Sequence, residues 1–93
     1  MEFEGLRAVI GRKWTLEILD LLATDSPQNY SAIEADIETS SDTLTRGLGV
    51  LTEYELVTRT ERSKKDVQYV ITARGRTVLE TARDLEDILK RES

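Results

Sequence analysis

Ninety-three residues carrying a net charge of −5 at pH 7 leave room for one small domain with a single modest core. Cysteine and histidine are both absent, which removes thiolate nucleophiles, imidazole bases, disulfides and the usual zinc ligands together, so no cofactor or metal is expected. No apolar run approaches the roughly 20 residues that span a bilayer, and the acidic start MEFEG lacks the positive region of a signal peptide; the expectation is a cytoplasmic protein with no membrane partner.

Phe3, Leu6, Val9 and Ile10 share one helical face until Gly11 interrupts it, which predicts a first helix over about 3–10. A second helix is predicted from Trp14 to Ala23. Trp14, Ile18, Leu21 and Leu22 form its stripe, and Leu16 and Leu19 broaden it into the pattern of a central helix. Trp14, the chain's single tryptophan, is therefore expected to anchor the core, the other reading being one wall of a ligand pocket. Asp25-Ser26-Pro27 ends this helix, because proline disfavours helical geometry at Ser26 and donates no amide.

Ser31-Ala32-Ile33-Glu34 fits a capping box at the start of a short third helix with Ile33 and Ile37 inward. Ser40 and Ser41 offer the next N-cap. In the helix they open, Leu44, Leu48 and Leu51 form the inner face and leave Ser41, Asp42, Thr45, Arg46 and Gly49 opposite. Two stretches rich in β-branched and aromatic residues follow, 56–60 and 67–71, and the polar run 61–66 between them makes a hairpin. Thr72 can cap a last helix in which Val78, Ala82, Leu85 and Leu89 step by four, three and four, the spacing of a coiled-coil seam.

The charges are segregated. Residues 15–55 hold nine acids against one base, Arg46, whereas 56–77 hold six bases, Arg59, Arg62, Lys64, Lys65, Arg74 and Arg76, against Glu61 and Asp66. Abundant acids, with only four lysines beside nine arginines, resemble the composition of proteins from salt-loving organisms, where surface acids keep a chain hydrated.

A helix pair joined by a tight turn and followed by a two-stranded ribbon is the outline of a winged helix-turn-helix, mainly α with a small β-hairpin. Four blocks narrow it: IGRKWTLEIL, NYSAI, LTRGLGVLTEYELVTR and VQYVITARG, in that order over residues 9–76. Together they resemble the HxlR family of bacterial and archaeal transcription regulators. The resemblance implies a homodimer on operator DNA, with the helix of about 40–54 in the major groove, the wing of about 57–71 on the backbone, the helix-turn-helix over about 31–54, and terminal helices of about 3–10 and 73–90 building the dimer. The cysteine that family members commonly carry near the N-terminus, used by some as a thiol or aldehyde sensor, is missing here. The glycine that usually precedes the Leu-Val of the first wing strand is Glu55, which would have to adopt a left-handed cap at a cost of about 1 kcal/mol.

On this reading Ser40, Ser41, Thr43 and Thr45 offer hydroxyls and first-turn amides to a phosphate while Arg46 pairs with a guanine edge. The bland alternative is an ordinary polar helix face. Asp42 suits its own helix dipole, repels a nearby phosphate, and could accept from a cytosine amine. Arg62, Lys64 and Lys65 stand at the hairpin tip, where they either meet the DNA backbone or simply keep a hairpin soluble. Lys13 could reach a phosphate or lie solvated. Phe3, Leu6 and Ile10, with Val78, Ala82, Leu85 and Leu89, are the candidate dimer surface, unless they pack inside one chain. A rival from another class is an acidic winged helix that binds a basic protein and little or no DNA. An enzyme is disfavoured, since the acids lie scattered over predicted helix surfaces and form no obvious catalytic pair.

Overall fold

The computed structural model describes residues 2–91. Two helices open it, α1 (Glu4–Ile10) and α2 (Thr15–Thr24). The bend between them is tied by Thr15, whose fully buried hydroxyl donates to the Val9 carbonyl. A buried, satisfied hydroxyl of this kind is worth about 1 kcal/mol and leaves an orphaned carbonyl when removed. Thr15 turns the α2 stripe by part of a turn from the expected one. Ile18, Leu19 and Leu22 lie at 0% exposure and Leu21 at the edge. Trp14 occupies the N-cap position and is half-buried, packing against the core from its rim, with the Lys13 ammonium 5.0 Å from its ring centre. Its role in the core is real but peripheral.

A strand too short to leave any periodicity, β1 (Gln28–Asn29), leads straight into α3 (Tyr30–Asp36). This strand was not expected from sequence, and it shifts the helix start. Asn29, held extended by its pairing with β3, accepts from the Ala32 amide at 2.8 Å and is the N-cap, so the expected capping box of Ser31 and Glu34 does not form. Ser31 becomes an exposed helical residue.

The next helix, α4 (Ser41–Glu53), follows as expected, with Ser40 as its cap accepting from the Thr43 amide at 3.2 Å. Leu44, Leu48 and Leu51 are buried, and Gly47 joins them because a Cβ there would stand 3.3 Å from the Ile18 side chain. The helix ends in a Schellman motif, with the Leu56 amide on the Leu51 carbonyl (2.9 Å) and the Glu55 amide on that of Thr52 (3.0 Å). Glu55 takes the left-handed conformation, φ 60°, that a glycine would take without cost.

The hairpin pairs β2 (Val57–Ser63) with β3 (Asp66–Ile71), and β1 adds on the far side of β3 to give an antiparallel sheet ordered β1-β3-β2. Both strands run further toward the tip than expected, because the polar residues 61–63 and 66 remain on the ladder, with an irregularity between Glu61 and Ser63. Lys64 and Lys65 alone form the turn.

The last helix, α5 (Ala73–Lys90), starts at Thr72. The Thr72 hydroxyl accepts from the Gly75 amide (2.9 Å) and donates to the Glu55 carbonyl (2.8 Å), joining the end of α4 to the start of α5. Leu79 is the α5 side chain that enters the core, which also takes Val9, Ile33, Ile37, Leu56, Val57, Tyr69 and Ile71. Full burial of such side chains supplies about 1.5–3 kcal/mol each. The expected seam points elsewhere: Val78 and Ala82 are half-buried, Leu85 is 38% and Leu89 72% exposed.

Candidate nucleic-acid interface

Ser41, Asp42, Thr43, Thr45 and Arg46 all lie exposed on the outer face of α4, and Ser40 is exposed at its cap. Their hydroxyls are engaged inside the protein. Ser40 Oγ bonds to Thr43 Oγ1 at 2.9 Å, Ser41 Oγ donates to Glu34 Oε2 at 3.0 Å, and Tyr30 Oη lies 3.3 Å from Thr45 Oγ1. Glu34 and Tyr30 therefore belong to this surface, although neither was singled out from sequence; only the packing of α3 on α4 reveals them. Glu34 adds a second carboxylate beside Asp42. Arg46 has no ion-pair partner among the described residues, which leaves its guanidinium available to a base edge or a phosphate.

On the hairpin, Arg62, Lys64 and Lys65 are exposed and form no ion pair among the described residues. Between the wing and α4 runs an open cleft of about 410 Å³, lined by Thr45, Leu48, Gly49, Thr52 and Glu53 of α4 and by Arg59 and Tyr69 of the ribbon. Sequence placed Arg59 in a basic stretch but not at a cleft with Thr45; the register that sets Arg59 opposite Tyr69, and the packing of the ribbon on α4, were needed for that.

A second surface gathers most of the expected dimer residues. Leu6 and Ile10 of α1 face Thr77, Val78, Thr81, Ala82 and Leu85 of α5 across a groove of about 200 Å³. Phe3, Leu6 and Ile10 are 52%, 47% and 37% exposed, and Ile88, at 58%, extends the apolar strip toward Leu89. Ile88 falls outside the four-three-four seam and was missed for that reason. Among the described residues no group of three acidic, histidine or cysteine side chains is placed to hold a metal ion, and no helix is long and apolar enough to cross a membrane.

An exposed second helix of a helix-turn-helix, flanked by a ribbon with cations at its tip, defines the class: a winged-helix DNA-binding regulator of transcription. Residues 9–92 match the family model described as HxlR-like helix-turn-helix, and the chain belongs to that family. Solved structures agree on the fold. A possible HxlR family transcriptional factor from Thermoplasma volcanium is 28% identical, with a TM-score of 0.77 over 96% of this chain and 82% of that one. A putative HTH-type transcriptional regulator, ytcD, is 24% identical, with a TM-score of 0.79 over 96% and 92%. The reduced form of the transcriptional regulator YodB from B. subtilis is 21% identical, with a TM-score of 0.77 over 92% and 86%. No curated protein matches.

Proposed function

We propose that this regulator acts as a homodimer on a pseudo-palindromic operator, with α4 of each protomer in a major groove and each wing along the adjacent backbone. Residues 1–93 form a single winged helix-turn-helix domain that works in the cytoplasm by occupying DNA, without catalysis and without a cofactor. The observation that carries the reading is the pairing of two features in an acidic chain: an exposed α4 face bearing Arg46, which has no ion-pair partner among the described residues, and a ribbon whose turn is Lys64-Lys65 with Arg62 beside it. Such concentrated positive charge is what counterion release from a duplex requires. Ser40, Ser41, Asp42, Thr43, Thr45 and Arg46 are the groove-facing set, and Arg62, Lys64 and Lys65 the backbone set. The dimer rests on the apolar strip from exposed Phe3, Leu6 and Ile10 through half-buried Val78 and Ala82 to exposed Leu85 and Leu89, which a second copy would cover. The two α4 helices then stand about 34 Å apart, one turn of duplex.

Fluorescence anisotropy on duplexes from the region upstream of its own gene, at several salt concentrations, tests this. A saturable complex weakened by Arg46→Ala and by Lys64→Ala/Lys65→Ala is expected. With about four phosphates neutralised per protomer, each protomer contributes about −3.6 to the slope of log affinity on log salt, roughly −7 for the dimer.

One observation favours a second reading. Glu34 occupies the Ser41 hydroxyl and stands with Asp42 on the same surface, a charge pattern suited to a basic protein partner. Absence of any complex with DNA at every salt concentration would select that interaction module instead.

A further inference from the structure

We propose that Arg59 is a phosphate anchor in the cleft between α4 and the wing, receiving the DNA strand that passes between them; this rests on the docking of α4 in a duplex groove. Arg59 pairs directly with Tyr69 across the β2–β3 ladder, and opposed residues share a sheet face. Tyr69 is buried against the core at 7% exposure, so that face is the one turned toward α4. Arg59 stands on it one step further out, with its side chain 47% exposed. Among the described residues it is the one cation lining the cleft.

The opposite wall suits a backbone. Gly49 has no side chain, and nothing lies within 4 Å of where a Cβ would be. Thr45 and Thr52 stand one turn to either side along the wall. A helix seated in a major groove with a ribbon beside it has the groove's bordering sugar-phosphate strand between the two elements, and a planar guanidinium takes a phosphate through two parallel hydrogen bonds.

Without DNA, Arg59 is held by Glu61, Nη1 to Oε2 at 3.7 Å, an exposed pair with the carboxylate side chain 54% exposed. Exposed pairs of this kind are weak and exchange readily. Glu61 therefore yields the guanidinium to a phosphate at little cost. Glu53, across the cleft, repels a phosphate that arrives without Arg59 to meet it, so the cleft's affinity for a strand depends on this one cation.

The test is the salt dependence of binding to two duplexes, the upstream region and a scrambled one of the same length, by wild type, Arg59→Gln, Arg59→Lys and Lys90→Gln. Lys90, in the last turn of α5, makes the same change in net charge far from the cleft in sequence and element. For Arg59→Gln we expect weaker binding by a similar factor on both duplexes and a salt slope shallower by about 1 per protomer, with an unchanged melting temperature. Arg59→Lys keeps the wild-type slope, and Lys90→Gln keeps both slope and affinity. Wild-type slope in Arg59→Gln overturns the anchor and leaves the DNA-binding reading intact, as does an equal loss of slope in Lys90→Gln. Failure of the wild type to bind either duplex at any salt overturns both.

Discussion

Ser41, the first residue of α4, donates its hydroxyl to Glu34 of α3 at 3.0 Å, so one hydrogen bond spans the turn of the helix-turn-helix and brings a carboxylate to the surface proposed to face DNA. The contact is exposed and adds little to stability. Its consequence is electrostatic. Glu34→Gln keeps a hydrogen-bond acceptor for Ser41 and removes the charge, and duplex affinity is expected to rise about fivefold, the equivalent of about 1 kcal/mol for one like-charge contact near the surface. Anisotropy at low and high salt checks this: the gain shrinks as salt rises, and no gain at low salt would show that Glu34 stands clear of the bound phosphates.

Glu55 closes the Schellman motif at the end of α4 with φ 60°. A side chain in that conformation costs about 1 kcal/mol that glycine avoids. Glu55→Gly is expected to stabilise the fold by about that amount, read in urea unfolding as a higher midpoint at constant slope. Glu55 was flagged from sequence as the residue standing where the family has glycine, and the helix kept its ending by straining one residue.

At Gly75 the opposite sign holds. A Cβ added there would lie 2.1 Å from the Leu56 carbonyl oxygen and 2.8 Å from the Ile71 side chain. Ordinary helix propensity favours alanine over glycine by about 1 kcal/mol, yet Gly75→Ala must push α5 away from Leu56, just before the start of β2, and a loss of more than about 2 kcal/mol is expected. Thermal unfolding followed by circular dichroism measures it. An unchanged or higher midpoint would mean that the approach of α5 to Leu56 relaxes without cost.

Leu85 is 38% exposed and shares the α1–α5 groove with Leu6 and Ile10. If that groove is the dimer surface, Leu85→Asp buries a charge at each of two symmetric places and is expected to yield monomer, while the fold, whose core lies around Leu79 on another side of α5, persists. Sedimentation velocity gives the mass and circular dichroism the fold. A variant that still sediments as a dimer, or a wild type that sediments as a monomer, would remove this groove from the interface.

Much of the architecture was legible along the chain because helices declare themselves locally. The spacing of Leu44, Leu48 and Leu51, the capping oxygens of Ser40 and Thr72, and the β-branched runs of the ribbon each act within a few residues. From these alone the helix order, the hairpin, the outer face of α4 and the cations at the wing tip could be placed. What failed was whatever depends on a partner distant in sequence. β1 exists because Gln28 and Asn29 meet Tyr69 and Gln68, and that pairing moved the α3 cap from Ser31 to Asn29. Gly75 is required because the Leu56 backbone presses against it, and Gly47 sits in close contact with the Ile18 side chain.

The site divides in the same way. That α4 carries one cation and that the ribbon tip carries three were set by residue order, since exposed charges on one element follow from its period. Which charges share a surface was decided by packing: α3 brings Glu34 to Ser41, and the register of β2 on β3 sets Arg59 beside Tyr69 and across the cleft from Thr45. Local periodicity determines which way a side chain leaves its own element, but contact between elements depends on how their faces interlock in three dimensions, and only the folded chain decides that.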